Sequence, residues 1–205
     1  MAARVGTSTG ETQMVDERQR IGLLHKIEAA GLITDGHFAY RSGMHSLRLL
    51  DRDRLLSDTH LASRLGYALA KHFFLSRADV VAAPSIWGAG LAQWVGYFME
   101  PRRPVIYARG EQDGRYLFTP GEDALANRRV LIIDNLILTG STMKHFVQEV
   151  SRTGGTPIGV GALADLSGLE YPIEVTGLLN AELDIFDPAQ HPEKAKIQPV
   201  VEVGY

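Results

Sequence analysis

Apolar positions along the chain follow a helical period first and a strand period later. Ile21, Leu23, Leu24 and Ile27 share one helical face behind Asp16, a residue type that caps helix N-termini, and Gly31 is placed to stop the run. The spacing predicts a helix from about Val15 to Ala30. Gly36 to Asp51 mixes aromatic, serine and alternating apolar residues around Ser42-Gly43, which predicts two short strands joined by a turn. Leu61, Leu65, Ala68, Leu69 and His72 then share a face behind Asp58-Thr59, predicting a second helix.

From Asp79 onward, short apolar runs alternate with helical stretches, the signature of repeated βαβ units and a mostly parallel sheet. The expected strands are Val80–Ala83, Pro104–Tyr107, Val130–Ile133 and Ile158–Ala164. The expected helices are Gly88–Met99 and Ser141–Arg152. Arg109 to Asn127 is polar, contains glycine and lacks a period, so a long functional loop is expected there. No period is legible from Asp184 on, where Pro188, Pro192 and Pro199 interrupt the chain. The fold expected is α/β: a mostly parallel central sheet flanked by helices, with a small hood built from the N-terminal strands and the C-terminal segment.

Composition narrows the class. A length of 205 residues with 45% hydrophobic content suffices for one globular core, expected over residues 15–205 behind a disordered tail at 1–14. Met1 to Gln13 lacks the apolar core of a secretory signal, and no apolar run approaches the roughly 20 residues of a membrane span. A net charge of −3 without Lys/Arg clusters gives nucleic acid and anionic lipid no electrostatic hold. With no cysteine, disulfides and thiolate chemistry are excluded, and a cytoplasmic location is expected. The partners expected are small molecules or a second copy of the chain.

Chemistry concentrates where the Val130–Ile133 strand runs through Asp134-Asn135-Leu136-Ile137-Leu138-Thr139-Gly140 into the helix at Ser141-Thr142. The first backbone N–H groups of a helix are unpaired and sit at the positive end of its dipole, which suits a phosphate. Gly140 permits close approach, while Thr139, Ser141 and Thr142 add hydroxyl donors. Asp134, expected at the carboxyl end of the strand, can accept from vicinal sugar hydroxyls or hold Mg²⁺ through water. The same residues also suit an ordinary capped helix, with Ser141 as cap. A second glycine-containing turn, Ser85-Ile86-Trp87-Gly88-Ala89-Gly90, begins a dinucleotide-like string that Gln93 breaks. Trp87 is expected to pack rather than to stack on a ligand. His37, His45, His72 and His145 lack metal-ligand spacing and are read as surface or partly buried structural residues.

These blocks carry a resemblance. Four apolar residues, an acid and Thr139-Gly140-Ser141-Thr142 resemble the loop of type I phosphoribosyltransferases that binds phosphoribosyl pyrophosphate (PRPP). Gly36-His37-Phe38-Ala39-Tyr40-Arg41-Ser42-Gly43-Met44-His45-Ser46 is similar to the N-terminal segment of the orotate phosphoribosyltransferases, and Ser85-Ile86-Trp87-Gly88 to their diphosphate loop. The resemblance runs in family order over roughly Gly36 to Ala164. It implies PRPP bound by Asp134, Asn135, Leu138 to Thr142, Arg41 and Arg109, diphosphate at Ser85 to Gly88, and Mg²⁺ as cofactor. It also implies transfer of a 5-phosphoribosyl group to a nitrogen base, with Asp134 and Arg109 as catalytic residues, and a homodimer.

Four positions depart from the family pattern. Asn135 stands where a second acid is usual. Gln112 and Gly114 stand where the mobile loop carries a Lys-x-His pair, with Arg115 nearby as a substitute. Leu166 stands where an arginine pairs with the orotate carboxylate, so Leu166→Arg is expected to improve orotate binding. The departures keep open a second function, a non-catalytic PRPP or nucleotide sensor, and a third, a transferase for another heterocycle.

Overall fold

The computed structural model describes residues 22–111, 114–119, 121–197 and 200–203. The expected tail and Gln112 lie outside them. A helix over residues 22–29 (α1) leads into β1 (Ile33–Ala39) and β2 (His45–Leu50), an antiparallel pair. The short helix α2 (Arg52–Ser57) and α3 (Thr59–His72) follow. Each is capped by an aspartate: Asp51 accepts from the Arg54 amide, and Asp58 from those of His60 and Leu61.

The central sheet comprises β3 (Val80–Ala83), β4 (Val105–Gly110), β5 (Tyr116–Phe118), β6 (Arg129–Ile137), β7 (Thr156–Asp165) and β8 (Val175–Gly177), in the order β5-β4-β3-β6-β7-β8. All neighbours in it are parallel except β4 and β5. Its inner strands read as continuous apolar runs because both faces are covered. Val81, Ala83, Leu131 and Ile133 pack with α3 and with Leu91, Ala92 and Val95 of α4 (Ile86–Phe98). Val80, Ala82, Val130 and Ile132 face Met143, Phe146 and Val150 of α5 (Ser141–Arg152). The two crossover helices therefore lie on opposite faces. One leads from β3 outward to β4, the other from β6 outward to β7, so the chain reverses its direction of winding between β3 and β6. Open α/β sheets bind ligands outside the carboxyl ends of the strands at such a reversal.

The hood is a second sheet, ordered β10-β1-β2-β9, in which β9 (Ile185–Phe186) pairs antiparallel with β2 and β10 (Val200–Glu202) parallel with β1. Between its outer strands lies the one-turn helix α7 (Pro192–Ala195), and ahead of them α6 (Asn180–Leu183). The C-terminal segment, aperiodic in sequence, thus completes this sheet. The hood shares its core with the central sheet through Phe38, Tyr40, Leu50 and Leu55.

Three sequence expectations change. The stretch from Arg109 to Asn127 is not one open loop: its described part turns back as the β4–β5 hairpin, with Tyr116 and Phe118 buried against Phe146, then makes a 3₁₀ turn at Glu122–Leu125. β6 runs to Ile137, so Asp134 lies inside the strand, level with Ala162 of β7, rather than at its end. His37 is fully buried: its ring nitrogens meet the Ile197 carbonyl oxygen at 2.6 Å and His45 Nδ1 at 2.8 Å. Among the described residues no three potential metal-binding side chains cluster, and no helix is long and apolar enough to cross a membrane.

Candidate active site

A cleft of about 560 Å³ opens at the reversal point. The turn after β3 contributes Ser85 and the first turn of α4 Trp87; β6 and the following turn contribute Asp134 to Gly140; α5 adds Thr142 and Met143; the hood adds Arg41, and Arg52 and Asp53 of α2 close the ring. Of the residues expected from sequence, Ile86, Gly88, Arg109 and Ser141 do not line it. Ile86 points outward, 63% exposed. Gly88 lies directly behind the wall, where a Cβ would stand 2.9 Å from Asp134 Oδ1; only glycine lets the start of α4 sit this close to β6.

The two crossover helices begin at this cleft, and neither is closed by a side chain. Ser85, the N-cap of α4, makes no side-chain capping bond, and neither does the N-cap of α5, Gly140. Gly140 has φ 75°, a left-handed conformation, and a Cβ there would come within 2.6 Å of Leu169 Cδ1, so the turn requires glycine twice over. The Thr139 and Ser141 hydroxyls hydrogen-bond each other at 2.8 Å beside it. Two sets of unpaired N–H groups, each at the positive end of a helix dipole, therefore flank one cleft.

Asp134 lies between them, half-buried. Burial pushes its carboxyl up to about 6, against the acceptance of the Asn135 N–H at 2.8 Å and the attraction of the nearby Arg52 guanidinium, both of which favour the anion. Asn135, next in the strand, points to the opposite face. Its Nδ2 donates to the Trp87 carbonyl at 2.7 Å, and its buried Oδ1 has no partner.

Trp87, expected to pack, is 77% exposed at the rim. Arg109 does not line the cleft and pairs with Glu111 at 3.0 Å. Gly114 places no charge near it, while Arg41 and Arg52 supply cations from the hood side. Arg52 was hidden in the sequence because Asp51-Arg52-Asp53-Arg54 reads as a solvated helix start; its position directly after the Asp51 N-cap is the signal that could have found it. Leu166 is not a cleft residue. It is 1% exposed, its amide donates to the Ile137 carbonyl, and its own carbonyl accepts from Ser42 Oγ.

Known proteins resemble this chain in sequence and in fold. An orotate phosphoribosyltransferase of Thermus thermophilus is 30% identical over 175 residues, 84% of this chain and 92% of the relative. One from Caldicellulosiruptor bescii is 28% identical over 176 residues, 84% and 90% respectively. The crystal structure of orotate phosphoribosyltransferase from Aeropyrum pernix, 22% identical, shares the fold with a TM-score of 0.56 over 79% of this chain and 88% of that one. No family model matches the chain. Similarity that spans most of both chains at this level makes the protein a member of the type I phosphoribosyltransferase family, with orotate phosphoribosyltransferases as its relatives.

Proposed function

We propose that the protein binds PRPP and transfers its 5-phosphoribosyl group to a nitrogen base with release of diphosphate. The observation that carries this reading is the pair of open helix N-termini flanking Asp134. PRPP presents two separate anionic groups across a ribose. The α5 turn, with Leu138 to Thr142, suits the single 5-phosphate, and the α4 turn, from Ser85 to Gly88, suits the diphosphate. Asp134 between them suits the vicinal ribose hydroxyls, whereas Asn135 is engaged by the Trp87 carbonyl and its Oδ1 is buried.

The donor set also suits magnesium carried in by the substrate. Mg²⁺ keeps several waters and phosphate oxygens when a protein offers one or two carboxylates. Asp134 would hold it through water. Bound there, the ion would neutralise part of the diphosphate charge.

In the reaction proposed, a base nitrogen bonds to C1 of the ribose as the C1–O bond to diphosphate breaks through an oxocarbenium-like transition state. The chain contributes position and charge: helix amides on the phosphates, Asp134 on the ribose, and Arg41 and Arg52 on the departing anion. Homodimerisation belongs to the same reading, and a mass near 22.5 kDa by light scattering would overturn it.

A thermal shift tests the reading. PRPP with Mg²⁺ at a hundred times its Kd should stabilise the fold by about 2.7 kcal/mol. Asp134→Ala should abolish most of that shift; an identical shift in the variant would remove the cleft from consideration. One observation favours the second reading, a sensor without turnover: Arg109 is engaged by Glu111 outside the cleft. Binding without diphosphate release across a panel of bases would establish it.

A further inference from the structure

Trp87 joins an exposed side chain to a fixed backbone. Its carbonyl is held by Asn135 Nδ2 at 2.7 Å, and Gly88 is pressed against β6, with the position of a Cβ 3.1 Å from the Ile133 carbonyl oxygen. The first turn of α4, pinned at these two consecutive residues, carries the Trp87 side chain in a defined place relative to Asp134, with which Trp87 shares the cleft. The indole is 77% exposed there. Aromatic rings gain most from burial and stacking, so an indole at the mouth of a ligand cleft offers an unused face. The chain's other tryptophan behaves differently: Trp94 stacks on Phe98, with ring centroids 6.1 Å apart, and its Cβ closes over Gly66.

We propose that Trp87 is the platform on which the planar ring of the incoming base stacks, and that Asn135 is the positioning residue that holds this platform. The inference rests on the phosphoribosyl reading and adds how the base is recognised: by an aromatic face and not by an ion pair. The chain segment after β7 agrees, because Leu166 is in the core with both backbone groups engaged and presents no cation. A stacking surface accepts pyrimidines and purines alike, since every base has a π-face.

The test uses product-side probes, so that binding is separated from turnover. In a Trp94→Phe background Trp87 is the sole tryptophan. Ribose 5-phosphate, UMP, AMP and orotidine monophosphate are titrated while its emission is followed, and affinities are taken by calorimetry. At least one nucleotide should quench the emission, and ribose 5-phosphate should not. Trp87→Ala should weaken that nucleotide about tenfold or more, leave ribose 5-phosphate within twofold, and be rescued by Trp87→Phe. Because the indole is exposed, the unliganded melting temperature should hold.

Equal loss for ribose 5-phosphate and nucleotide in Trp87→Ala would overturn the platform. So would nucleotide binding with no change in emission, or ribose 5-phosphate binding while no nucleotide binds more tightly. In each of these cases the phosphoribosyl reading survives. Failure of PRPP with Mg²⁺ and of ribose 5-phosphate to bind at all would overturn both.

Discussion

Asn135 donates from Nδ2 to the carbonyl of Trp87 at 2.7 Å, across the reversal point between β6 and the start of α4. One departure from the family pattern, Asn135, thereby engages the backbone of the residue at the cleft rim. An acid at position 135 would set a carboxylate oxygen against a carbonyl oxygen; the amide makes the contact attractive. The substitution that weakens the expected grip on ribose also fastens the turn that carries Trp87.

Asn135→Asp should therefore harm the protein, although it restores the family's second acid. The variant loses a buried hydrogen bond and confronts two acceptors, a cost of about 1–3 kcal/mol. Chemical denaturation should show the loss, and Trp87 emission in the Trp94→Phe background should report a more mobile indole. Unchanged stability with unchanged emission anisotropy would show that the bond holds nothing.

Ligand binding should strengthen as pH rises through about 6, because burial raises the Asp134 carboxyl to that value and the anion is the form that accepts hydroxyl protons. The sign for the free protein is opposite. A carboxyl whose folded-state pKa is raised gives its full stabilisation below the ordinary aspartate range and loses it as pH rises through about 6. Asp134→Asn should thus stabilise the unliganded chain at pH 8, by on the order of 2 kcal/mol, and hardly at pH 4. Phosphates titrate in the same window, so the measurement is the difference between wild type and Asp134→Asn in the pH dependence of the PRPP thermal shift. Parallel curves would show that Asp134 is already ionised at pH 5.

Legibility followed from how far apart each element's partners lie in sequence. The Val130–Ile133 run announced a strand because both faces of β6 are covered, and the Thr139–Thr142 turn announced a helix start by its own chemistry. β9 and β10 were illegible because they are two and three residues long and pair with strands more than a hundred residues upstream. Tyr116 and Phe118 looked like isolated aromatics in a polar loop until Phe146 supplied the surface that buries them. Trp87 is expected to pack, yet it stands at the cleft rim, 77% exposed. Which residues of the first turn of α4 meet β6, as Gly88 does, is set by the packing of that helix on the sheet, a property the local sequence does not carry.

Arg52, not Arg109, should be the cation on which anion affinity depends. Arg52, itself paired with Asp53 at 3.5 Å, lines the cleft and biases the Asp134 carboxyl, whereas the Arg109 side chain is 76% exposed, pairs with Glu111 and does not line the cleft. A hydrogen bond to a charged group contributes about 1.5–3 kcal/mol, so Arg52→Gln should weaken diphosphate with Mg²⁺ roughly 10- to 100-fold. Arg109→Gln should change it less than about twofold, in line with an exposed ion pair. Calorimetry on the two variants decides between them, and the reverse ranking would mean that the β4–β5 hairpin swings into the cleft on binding.

Orotate should be turned over slowly or not at all, and Leu166→Arg should not repair this. The sequence suggested that an arginine at position 166 would meet the orotate carboxylate. In the fold, however, the Leu166 side chain belongs to the core shared by the hood and the central sheet, at 1% exposure. Its amide and carbonyl are spent on Ile137 and Ser42, which fixes the backbone and with it the inward direction of the side chain. A guanidinium placed there would be buried without a partner, a defect that costs about 3–5 kcal/mol when a buried charge is left uncompensated. The variant should therefore lose stability in denaturant and gain no orotate affinity. Orotate conversion by the unmodified protein faster than about 1 s⁻¹, the lower end of ordinary enzyme turnover, would mean that Arg41 or Arg52 meets the carboxylate instead. The two outcomes separate in Arg41→Gln and Arg52→Gln, where a carboxylate partner reveals itself by raising KM for orotate by a larger factor than KM for PRPP.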